Sequence, residues 1–372
     1  MSKLDFDDLV LLRLLLSVEG IGSSKIRNLL SRFKKLKNIF EADTHSLTNT
    51  EGISTNLASR IISSRKNKSQ LSSLIENELK QLSAINARVI TVWDTEFPPL
   101  LKKIYDPPLI LYIKGELIEQ DNYSISIVGT RMPTNYGKVQ AERLSGDLAS
   151  QGITIVSGLA RGIDSIAHYS ALKNNGRTVA VIGSGLDVIY PPENKKLLEE
   201  ISTKGAVISE FPLGTQPDAM NFPKRNRIIA GISLGCIVIE TAVTGGALQT
   251  AEHSLDQGKE VFAVPGNLGI RQSEGTNKLI QKCEAKLVTS AEDVLVELEL
   301  KLKPIINKNV KLPEDLNLFE EKIINALSAE PLQIDKIASL TNLSTSDCLV
   351  HLLTLEFKGL IKQLPGKVFS RL

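Results

Sequence analysis

Hydrophobic residues along this 372-residue chain change their spacing twice, and the changes divide the sequence into regions of different predicted structure. In residues 1–85, apolar positions recur at helical spacing, first over 9–16 and again over 26–33. This pattern predicts a small all-α domain at the start of the chain. From residue 86 onward, short apolar runs take over, and from 316 to the end the helical spacing returns.

The middle region, residues 86–300, reads as a Rossmann-like α/β domain. Its first part, 86–120, is predicted to be a connecting segment of two strands, at 89–93 and 109–113. After it, short apolar runs alternate with helical stretches, which is typical of a largely parallel sheet covered on both faces. The predicted strands of this sheet are 126–128, 153–156, 179–182, 207–209, 236–239, 261–264 and 286–289.

The last region is predicted to be a separate small domain. Residues 301–315 combine lysines and prolines with little periodicity, so we interpret them as a linker. Residues 316–372 then show three helical stretches, at 318–327, 334–340 and 345–357, followed by two short strands around the turn signal Pro365-Gly366. Three helices and a hairpin predict a winged-helix domain.

Two glycines in the first region indicate a specific kind of helix connection. Gly20 and Gly22 join the two helical stretches, and Gly52 repeats the pattern more weakly at 51–54. The segment resembles a helix-hairpin-helix element, in which a small turn lets backbone amides approach a DNA phosphate. A plain tight turn explains the glycines equally well, and the nearby Glu19 would repel phosphate, so we expect an auxiliary binding role at most.

The amino-acid composition excludes several classes of protein but does not by itself indicate a function. Lys plus Arg is 44 against 42 for Asp plus Glu, so attraction to phosphate has to come from local patches. The three cysteines are far apart, which suggests neither a disulfide framework nor a zinc site and fits a cytoplasmic protein. The apolar run at 9–16 is short and follows acidic residues, so we expect neither a signal peptide nor a membrane span.

Candidate chemistry concentrates where the predicted parallel strands end. Ligands of open α/β sheets bind outside the carboxyl ends of the strands, and glycine or a small hydroxyl residue follows nearly every strand here. Such residues let a ligand approach backbone amides, so the pattern predicts a phosphate-binding rim. The segments concerned are 129–131, 157–162, 183–185, 210–214, 240–246 and 265–267.

A basic block inside the α/β region is the strongest single signal for nucleic acid. It reads Phe222-Pro223-Lys224-Arg225-Asn226-Arg227 and continues into an apolar helical run. Cations beside an aromatic suit single-stranded nucleic acid, since cations meet phosphates and the ring stacks on a base; a solvated helix start is the alternative. Lys224 and Arg227 can share a helix face as a phosphate clamp without being buried, whereas Arg225 is expected to anchor the loop on a neighbouring carboxylate.

Other polar residues favour structural roles over catalysis. His168 lies four residues after Asp164, a spacing that predicts a helix-stabilising hydrogen bond between them. Glu210 and Glu240 end neighbouring predicted strands, and capping or loop anchoring is a better interpretation for them than acid catalysis. The chain has no GxxxxGK[ST] and no GxGxxG at the first strand–helix turn, so no nucleotide cofactor is expected.

The motifs together resemble the DNA-processing protein A (DprA/Smf) family over residues 86–290. The residues that carry the resemblance are Ser126-Ile127-Val128-Gly129-Thr130-Arg131, Tyr136-Gly137, Ser157-Gly158-Leu159-Ala160-Arg161-Gly162-Ile163-Asp164, Gly183-Ser184-Gly185-Leu186-Asp187, Tyr190-Pro191, Ser209-Glu210-Phe211-Pro212, the basic block, Gly245-Gly246-Ala247 and Val264-Pro265-Gly266. The flanking domains fit the family's layout by architecture.

The resemblance implies a single-stranded DNA binder that protects incoming DNA and loads the recombinase RecA during natural transformation. It also implies a homodimer without catalytic turnover, and single-stranded DNA-binding protein is a further candidate partner. No membrane partner is expected. Together with the strand-end pattern, it assigns the DNA-binding residues to Gly129, Thr130, Arg131, Ser157, Gly158, Arg161, Phe222, Lys224, Arg225, Asn226 and Arg227.

Two other functions stay open on the sequence. A nucleotide phosphoribohydrolase resembling the lysine-decarboxylase-like (LOG) enzymes would have a GGxGTxxE loop. The segment 245–252 has the glycine pair, but lacks glycine before Thr250 and is one residue too long. A duplex-binding repressor would use the winged helix, but the predicted recognition helix 345–357 has no Lys or Arg, so protein contact is at least as good an interpretation.

Overall fold

The computed structural model describes residues 4–298, 318–327, 331–341, 343–357, 360–364 and 368–371. These residues fall into two compact units, one that ends at residue 298 and one that begins at 318. The predicted linker 301–315 and the predicted turn Pro365-Gly366 lie outside the described residues. Within the described part, no helix is long and apolar enough to cross a membrane.

The first unit begins with the helices that the sequence predicts. They are α1 (Phe6–Leu16), α2 (Ser23–Phe33), α3 (Leu36–Glu41), α4 (Thr44–Thr48), α5 (Thr55–Ser64) and α6 (Lys68–Ala84). Side-chain oxygens of Asp5, Asp43 and Ser54 accept hydrogen bonds from the first turns of α1, α4 and α5, which fixes where these helices start. Their apolar faces form a core of leucine and isoleucine that continues into the rest of the unit.

The first helix-hairpin-helix turn has the backbone that its glycines predict, but it faces its own chain. Gly20 has a φ of 91°, in the left-handed region that favours glycine, and α2 begins three residues later. There the hydroxyl of Ser23 donates a hydrogen bond to the carboxylate of Asp106, and the guanidinium of Arg27 donates to the carbonyl of Tyr105 at 2.6 Å. A carboxylate of the same chain therefore lies at the start of the helix where a DNA phosphate was predicted.

A nine-stranded sheet forms the centre of the first unit. Its strands are β1 (Ala87–Thr91), β2 (Ile110–Gly115), β3 (Ser124–Val128), β4 (Thr154–Ser157), β5 (Thr178–Ile182), β6 (Ala206–Ser209), β7 (Gly235–Val238), β8 (Glu260–Ala263) and β9 (Lys286–Leu287). Their order is β1-β2-β6-β5-β4-β3-β7-β8-β9, and β3 to β9 pair in parallel. The largely parallel sheet and the seven strands predicted for it are confirmed.

Residues 86–120 form the two strands predicted for this connecting segment, and both join the large sheet. β1 and β2 are its antiparallel strands, and β2 pairs with β6 with Tyr112 opposite Ser209. The first four residues of β2 are buried. A buried strand needs backbone hydrogen-bond partners along both edges, and β1 and β6 supply them.

Helices cover both faces of the sheet and place one groove at its edge. They are α7 (Pro99–Lys102), α8 (Asn135–Ser150), α9 (Ile163–Lys173), α10 (Lys195–Lys204), α11 (Asn221–Ile232), α12 (Gly246–Asp256), α13 (Arg271–Gln281) and α14 (Ala291–Glu297). The chain proceeds from β3 through β4 and β5 to β6, then returns to place β7 on the other side of β3. This reversal makes the carboxyl ends of β3 and β7 the topological switch point, where such sheets bind ligands.

The second unit is a winged helix, as predicted. It contains α15 (Leu318–Ala326), α16 (Ile334–Thr341), α17 (Thr345–Phe357) and a three-stranded sheet of β10 (Leu332–Gln333), β11 (Ile361–Leu364) and β12 (Val368–Arg371) in the order β10-β12-β11. Leu352, Leu355 and Phe369 lie in its core. On α17, the exposed residues include the acidic Asp347 and the apolar Val350 and Leu353 but no cation, so the surface that reads DNA in many winged helices lacks positive charge here.

Candidate nucleic-acid interface

A continuous groove runs along the carboxyl ends of β5, β4, β3 and β7. Its two adjoining parts share four residues, Arg131, Ala160, Phe222 and Arg225. One part extends toward Tyr190, beyond the end of β5, and the other is a cavity of about 330 Å³ that reaches the start of α12. The part beside Tyr190 is narrow, with a volume of about 10 Å³, so most of the open space lies in the part that reaches α12. The groove lies at the topological switch point, where such sheets bind ligands.

Arg131 and Phe222 form the centre of the groove. The guanidinium carbon of Arg131, an exposed residue, lies 5.5 Å from the centroid of the Phe222 ring. The half-buried Phe222 ring packs in turn against Tyr190, with ring centroids 6.0 Å apart and planes tilted by 38°. A cation and two aromatic rings are thus available to a strand that passes through the groove, the cation for a phosphate and the rings for bases.

Arg225 supports the groove from below instead of facing solvent. The residue is only 5% exposed, and its guanidinium donates hydrogen bonds to the carbonyl oxygens of Gly158, at 2.5 Å, and Val181. Burial lowers the pKa of Arg225 to about 10, while the nearby carboxylate of Asp164 opposes that shift. A Cβ on Gly158 would overlap this guanidinium, so glycine is required for the close approach.

Asp164 is the buried carboxylate beside Arg225. It accepts hydrogen bonds from the amides of Gly158, at 3.2 Å, and Ala160, at 3.4 Å, which holds the loop between β4 and α9. Burial raises the pKa of Asp164, and the neighbouring Arg225 acts in the opposite direction. Arg225 therefore anchors the loop as predicted, but the predicted carboxylate partner is wrong, because its guanidinium bonds to the carbonyls of Gly158 and Val181.

The turn after β3 is held by its backbone. The amide of Thr130 donates to the carbonyl of Glu240 at 2.6 Å, and the carbonyl of Thr130 accepts from Ile163 at 3.2 Å. Gly162 has a φ of 77°, and a Cβ at that position would collide with the backbone of Thr130 and Arg131. These contacts fix the direction in which Arg131 leaves the sheet.

Two further predicted residues take different positions relative to the groove. Arg161 lines it and is exposed, but its guanidinium is paired with the carboxylate of Glu193, to which Nη2 donates at 3.1 Å. Ser157 is fully buried, and its hydroxyl donates to the carbonyl of Ile127 at 2.6 Å. Arg161 can reach a phosphate only by leaving Glu193, whereas Ser157 joins neighbouring strands.

The predicted clamp of Lys224 and Arg227 does not lie in the groove. Arg227 donates two hydrogen bonds to the Glu210 carboxylate, at 2.5 and 2.6 Å, and a third to the carbonyl of Asp106 at 2.7 Å. Its side chain is 16% exposed, so the expectation that it is unburied is wrong. Lys224 is exposed, but it lines neither part of the groove, although its neighbours Phe222 and Arg225 line both.

The histidine prediction is also wrong. His168 is fully buried, and its Nδ1 lies 2.6 Å from the hydroxyl oxygen of Thr178, not near a carboxylate oxygen of Asp164. Since the Thr178 hydroxyl already donates to the carbonyl of Ile155, it accepts from a protonated Nδ1, which fixes the neutral tautomer. Burial lowers the pKa of His168 to about 3, so the ring stays neutral in the folded protein.

The two glutamates at strand ends hold structure, as the sequence predicts. Both carboxylate oxygens of the buried Glu240 accept from Thr134, one from the amide at 2.8 Å and one from the hydroxyl at 2.6 Å. Glu240 thereby anchors the loop that leads from Arg131 into α8. Glu210 is occupied by Arg227, and burial raises the pKa of Glu210 while Arg227 opposes the shift.

The structure brings together most of the predicted DNA-binding residues. Those that line the groove are Gly129, Thr130, Arg131, Gly158, Arg161, Phe222, Arg225 and Asn226, whereas Ser157, Lys224 and Arg227 do not. Sequence reasoning did not name Tyr190 or Thr250 as site residues, although both line the groove. Both could have been found from their positions in the sequence. Tyr190 follows a predicted strand, and Thr250 lies one helical turn after the glycine pair at the start of α12.

Comparison with protein families gives one consistent result. The family model for DNA recombination-mediator protein A matches residues 88–299. Models for a DprA winged helix domain and for a SAM-like helix-hairpin-helix tandem match residues 310–367 and 12–67. The matches cover the α/β region, the winged helix and the N-terminal helices in the order in which they occur along the chain.

Individual relatives and solved structures agree with these matches. The Synechocystis protein Smf is 35% identical over 95% of this chain and 96% of its own, and DNA processing protein DprA of Streptococcus pneumoniae is 44% identical over 56% of this chain and 73% of its own. The X-ray structure of the Streptococcus pneumoniae protein matches with a TM-score of 0.65 and 33% identity over 79% of this chain and 98% of that chain. A structure of DNA processing protein A from Helicobacter pylori, which concerns its single-stranded DNA binding mode, matches with a TM-score of 0.53 and 30% identity over 58% of this chain and 97% of that chain.

Proposed function

Because this chain belongs to the DNA recombination-mediator protein A (DprA/Smf) family, we propose that it binds single-stranded DNA in the groove and delivers the strand to RecA. The observation that carries the binding step is the exposed cation of Arg131 over the ring of Phe222. A phosphate meets the cation while bases stack on the rings, and no base edge has to be read, so binding is independent of sequence.

The groove favours a single strand over a duplex. Phe222 is half-buried and tilted against Tyr190, so a base can reach these rings only when it is free of a complementary strand. In the winged-helix unit, α17 has no lysine or arginine to contact the phosphates of a duplex. For that unit, we propose a contact with protein.

The acidic residues of the site support binding without turnover. A hydrolase of the phosphoribohydrolase type needs a carboxylate that is free to act on its substrate. Glu240 holds the Thr134 backbone and hydroxyl, and Glu210 holds Arg227, so these two acids are committed to contacts within the protein. Glu252, the acid of the segment that resembles the phosphoribohydrolase loop, is exposed on α12 and does not line the groove. We therefore propose that the protein acts stoichiometrically, as a mediator.

The later steps rest on family membership. We propose that the protein acts in the cytoplasm as a homodimer, protects incoming single strands during natural transformation and loads RecA on them, with single-stranded DNA-binding protein as a further partner. Sedimentation of the full chain at micromolar concentration should show a dimer, and a monomer throughout would remove that part of the proposal.

The binding step is tested by anisotropy titrations at several salt concentrations with labelled oligothymidylate and with a hairpin duplex of similar length. Arg131→Ala should weaken binding to the single strand and reduce the slope of log Kd against log salt by about 0.7, the value for one phosphate contact. Arg143→Ala is the matched control, since Arg143 is an exposed arginine on α8 outside the groove. Equal affinity for the duplex, or an unchanged slope in Arg131→Ala, would contradict the proposal.

The loading step needs a separate assay. RecA strand exchange is measured on single strands already covered by single-stranded DNA-binding protein, with the wild type, Arg131→Ala or Arg143→Ala added. We expect stimulation by the wild type and by Arg143→Ala, and little by Arg131→Ala. Stimulation by all three proteins would separate loading from the groove.

A further inference from the structure

The cavity beyond Arg131 ends at the start of α12, where the backbone offers unused donors. Gly245 precedes the helix and supplies no side-chain cap. Among the described residues, the amides of Gly246 and Ala247 have no hydrogen-bond partner. A Cβ on Gly246 would meet nothing within 4 Å, so the cavity is open beside this residue. The first amides of a helix attract anions, since they are unpaired and lie at the positive end of its dipole.

Two buried side chains add donors to the same cavity. Asn226 is 7% exposed and Thr250 is 2% exposed, and both line it. Oδ1 of Asn226 accepts from Nε of Arg225 at 3.2 Å, and since a guanidinium only donates, this bond fixes which end of the amide is oxygen. In the described part of the chain, neither Nδ2 of Asn226 nor the hydroxyl of Thr250 bonds to another protein atom, and neither atom is sealed from solvent, so both donors are accessible from the cavity.

The charges around this cavity favour an anion. Arg131 and Arg225 both line it. The carboxylate of Asp164 also lines the cavity, but its Oδ2 accepts from the amides of Gly158 and Ala160. Two cations and a set of donors without protein partners therefore converge on one cavity, which indicates an anionic ligand.

We propose that the α12 amino terminus, Asn226 and Thr250 form a second phosphate subsite, which holds another phosphodiester of the strand bound at Arg131. This subsite rests on the proposed function and extends it. The groove would bind one phosphate of the DNA backbone through a cation and another through neutral hydrogen-bond donors. Neutral donors release few counterions, so their removal lowers affinity and leaves the salt dependence unchanged, in contrast to Arg131→Ala.

Two variants and one control test the subsite. Thr250→Val removes the hydroxyl with little change in shape. Asn226→Asp keeps an oxygen acceptor for Arg225, removes the amide donors and adds a negative charge. Ser254→Ala is the control: Ser254 is buried one turn further along α12, and its hydroxyl donates to the Thr250 carbonyl at 2.9 Å, away from the cavity. Urea unfolding establishes whether each variant is folded. If Asn226→Asp does not fold, Thr250→Val alone decides the test.

Each protein is titrated at low salt with two probes, an oligothymidylate and an abasic deoxyribose-phosphate oligomer of the same length. Loss of a hydrogen bond to a charged group weakens binding about tenfold or more, so we expect that factor for Thr250→Val on both probes and a larger one for Asn226→Asp. The slope against salt should stay unchanged in Thr250→Val, and Ser254→Ala should bind as the wild type does.

Each other outcome overturns the subsite. If Thr250→Val and Asn226→Asp bind both probes as tightly as Ser254→Ala does, the donors contact no DNA. If their effect disappears on the abasic oligomer, the cavity holds a base instead of a phosphate. If the wild type binds neither probe, the proposed function fails as well, which separates that failure from failure of the subsite alone.

Discussion

Replacement of Arg225 by methionine should destabilise the first unit strongly, although the residue lies in a block that suggests surface DNA contacts. Methionine has a similar length but neither charge nor donors. It would leave the carbonyls of Gly158 and Val181 without their donor and the Asp164 carboxylate without its neighbouring cation. A buried polar group left unpaired costs about 1–3 kcal/mol. Breaking a buried charge cluster on one side costs about 3–5 kcal/mol in total, a large part of the roughly 5–15 kcal/mol that stabilises a domain.

The assay is equilibrium unfolding in urea, followed by tryptophan fluorescence. Trp93 is the single tryptophan of the chain and packs against the core of the first unit, so its emission reports that unit and not the winged helix. Lys224→Met is the matched control, because Lys224 is the exposed neighbour of Arg225 in the same helix. The control should stay within about 0.5 kcal/mol of the wild type, as surface substitutions do, whereas Arg225→Met should unfold roughly 1 M earlier.

Two results would refute this reasoning. If Arg225→Met unfolds at the same urea concentration as the wild type, the guanidinium does not support the groove. If Lys224→Met is equally destabilised, the effect belongs to the helix and not to the buried contacts of Arg225.

Three further changes should have measurable effects. Arg227→Ala should lower the urea midpoint, because the partly buried Glu210 loses its partner at a cost of about 1–3 kcal/mol; an unchanged midpoint would contradict the ion pair. Acidification from pH 7 to pH 5 should cost up to about 2 kcal/mol through His168, because its folded pKa of about 3 lies below its unfolded value of about 6.5 and only the unfolded state gains the proton. That loss should be absent in His168→Asn, whose amide can replace the Nδ1 donor. Gly137→Ala should lower both Tm and DNA affinity, because its Cβ would overlap the Glu240 carboxylate that anchors the Arg131 loop, and an unchanged Tm would show that the loop adapts.

The sequence predicts the sheet well where the signal is local. Short apolar runs between helices identify β3 to β8, because buried parallel strands are apolar on both faces, whereas both residues of the edge strand β9 are exposed. The place of β1 and β2 in the same sheet does not follow from such runs. Pairing of β2 with β6 joins segments nearly a hundred residues apart in the chain, and no local pattern encodes that choice.

Within the site, the sequence identifies residue types but not the direction of each side chain. The spacing of Arg225 and Arg227 shows that they point apart, but not that both point to partners within the protein. Those partners are Gly158, 67 residues away, and Glu210, 17 residues away. His168 fails for a related reason, since helical spacing offers Asp164 as its partner, whereas the fold turns Asp164 to loop amides and brings Thr178 to the ring.

Photo-crosslinking can show whether a single strand lies across the Phe222 and Tyr190 rings beside Arg131. An oligothymidylate that carries 5-iodouracil is bound to the full chain, irradiated and digested, and the modified peptides are identified by mass spectrometry. We expect crosslinks at Phe222 or Tyr190, which are lost in Arg131→Ala and retained in Arg143→Ala. Crosslinks confined to the N-terminal helices or to the winged-helix unit would contradict it.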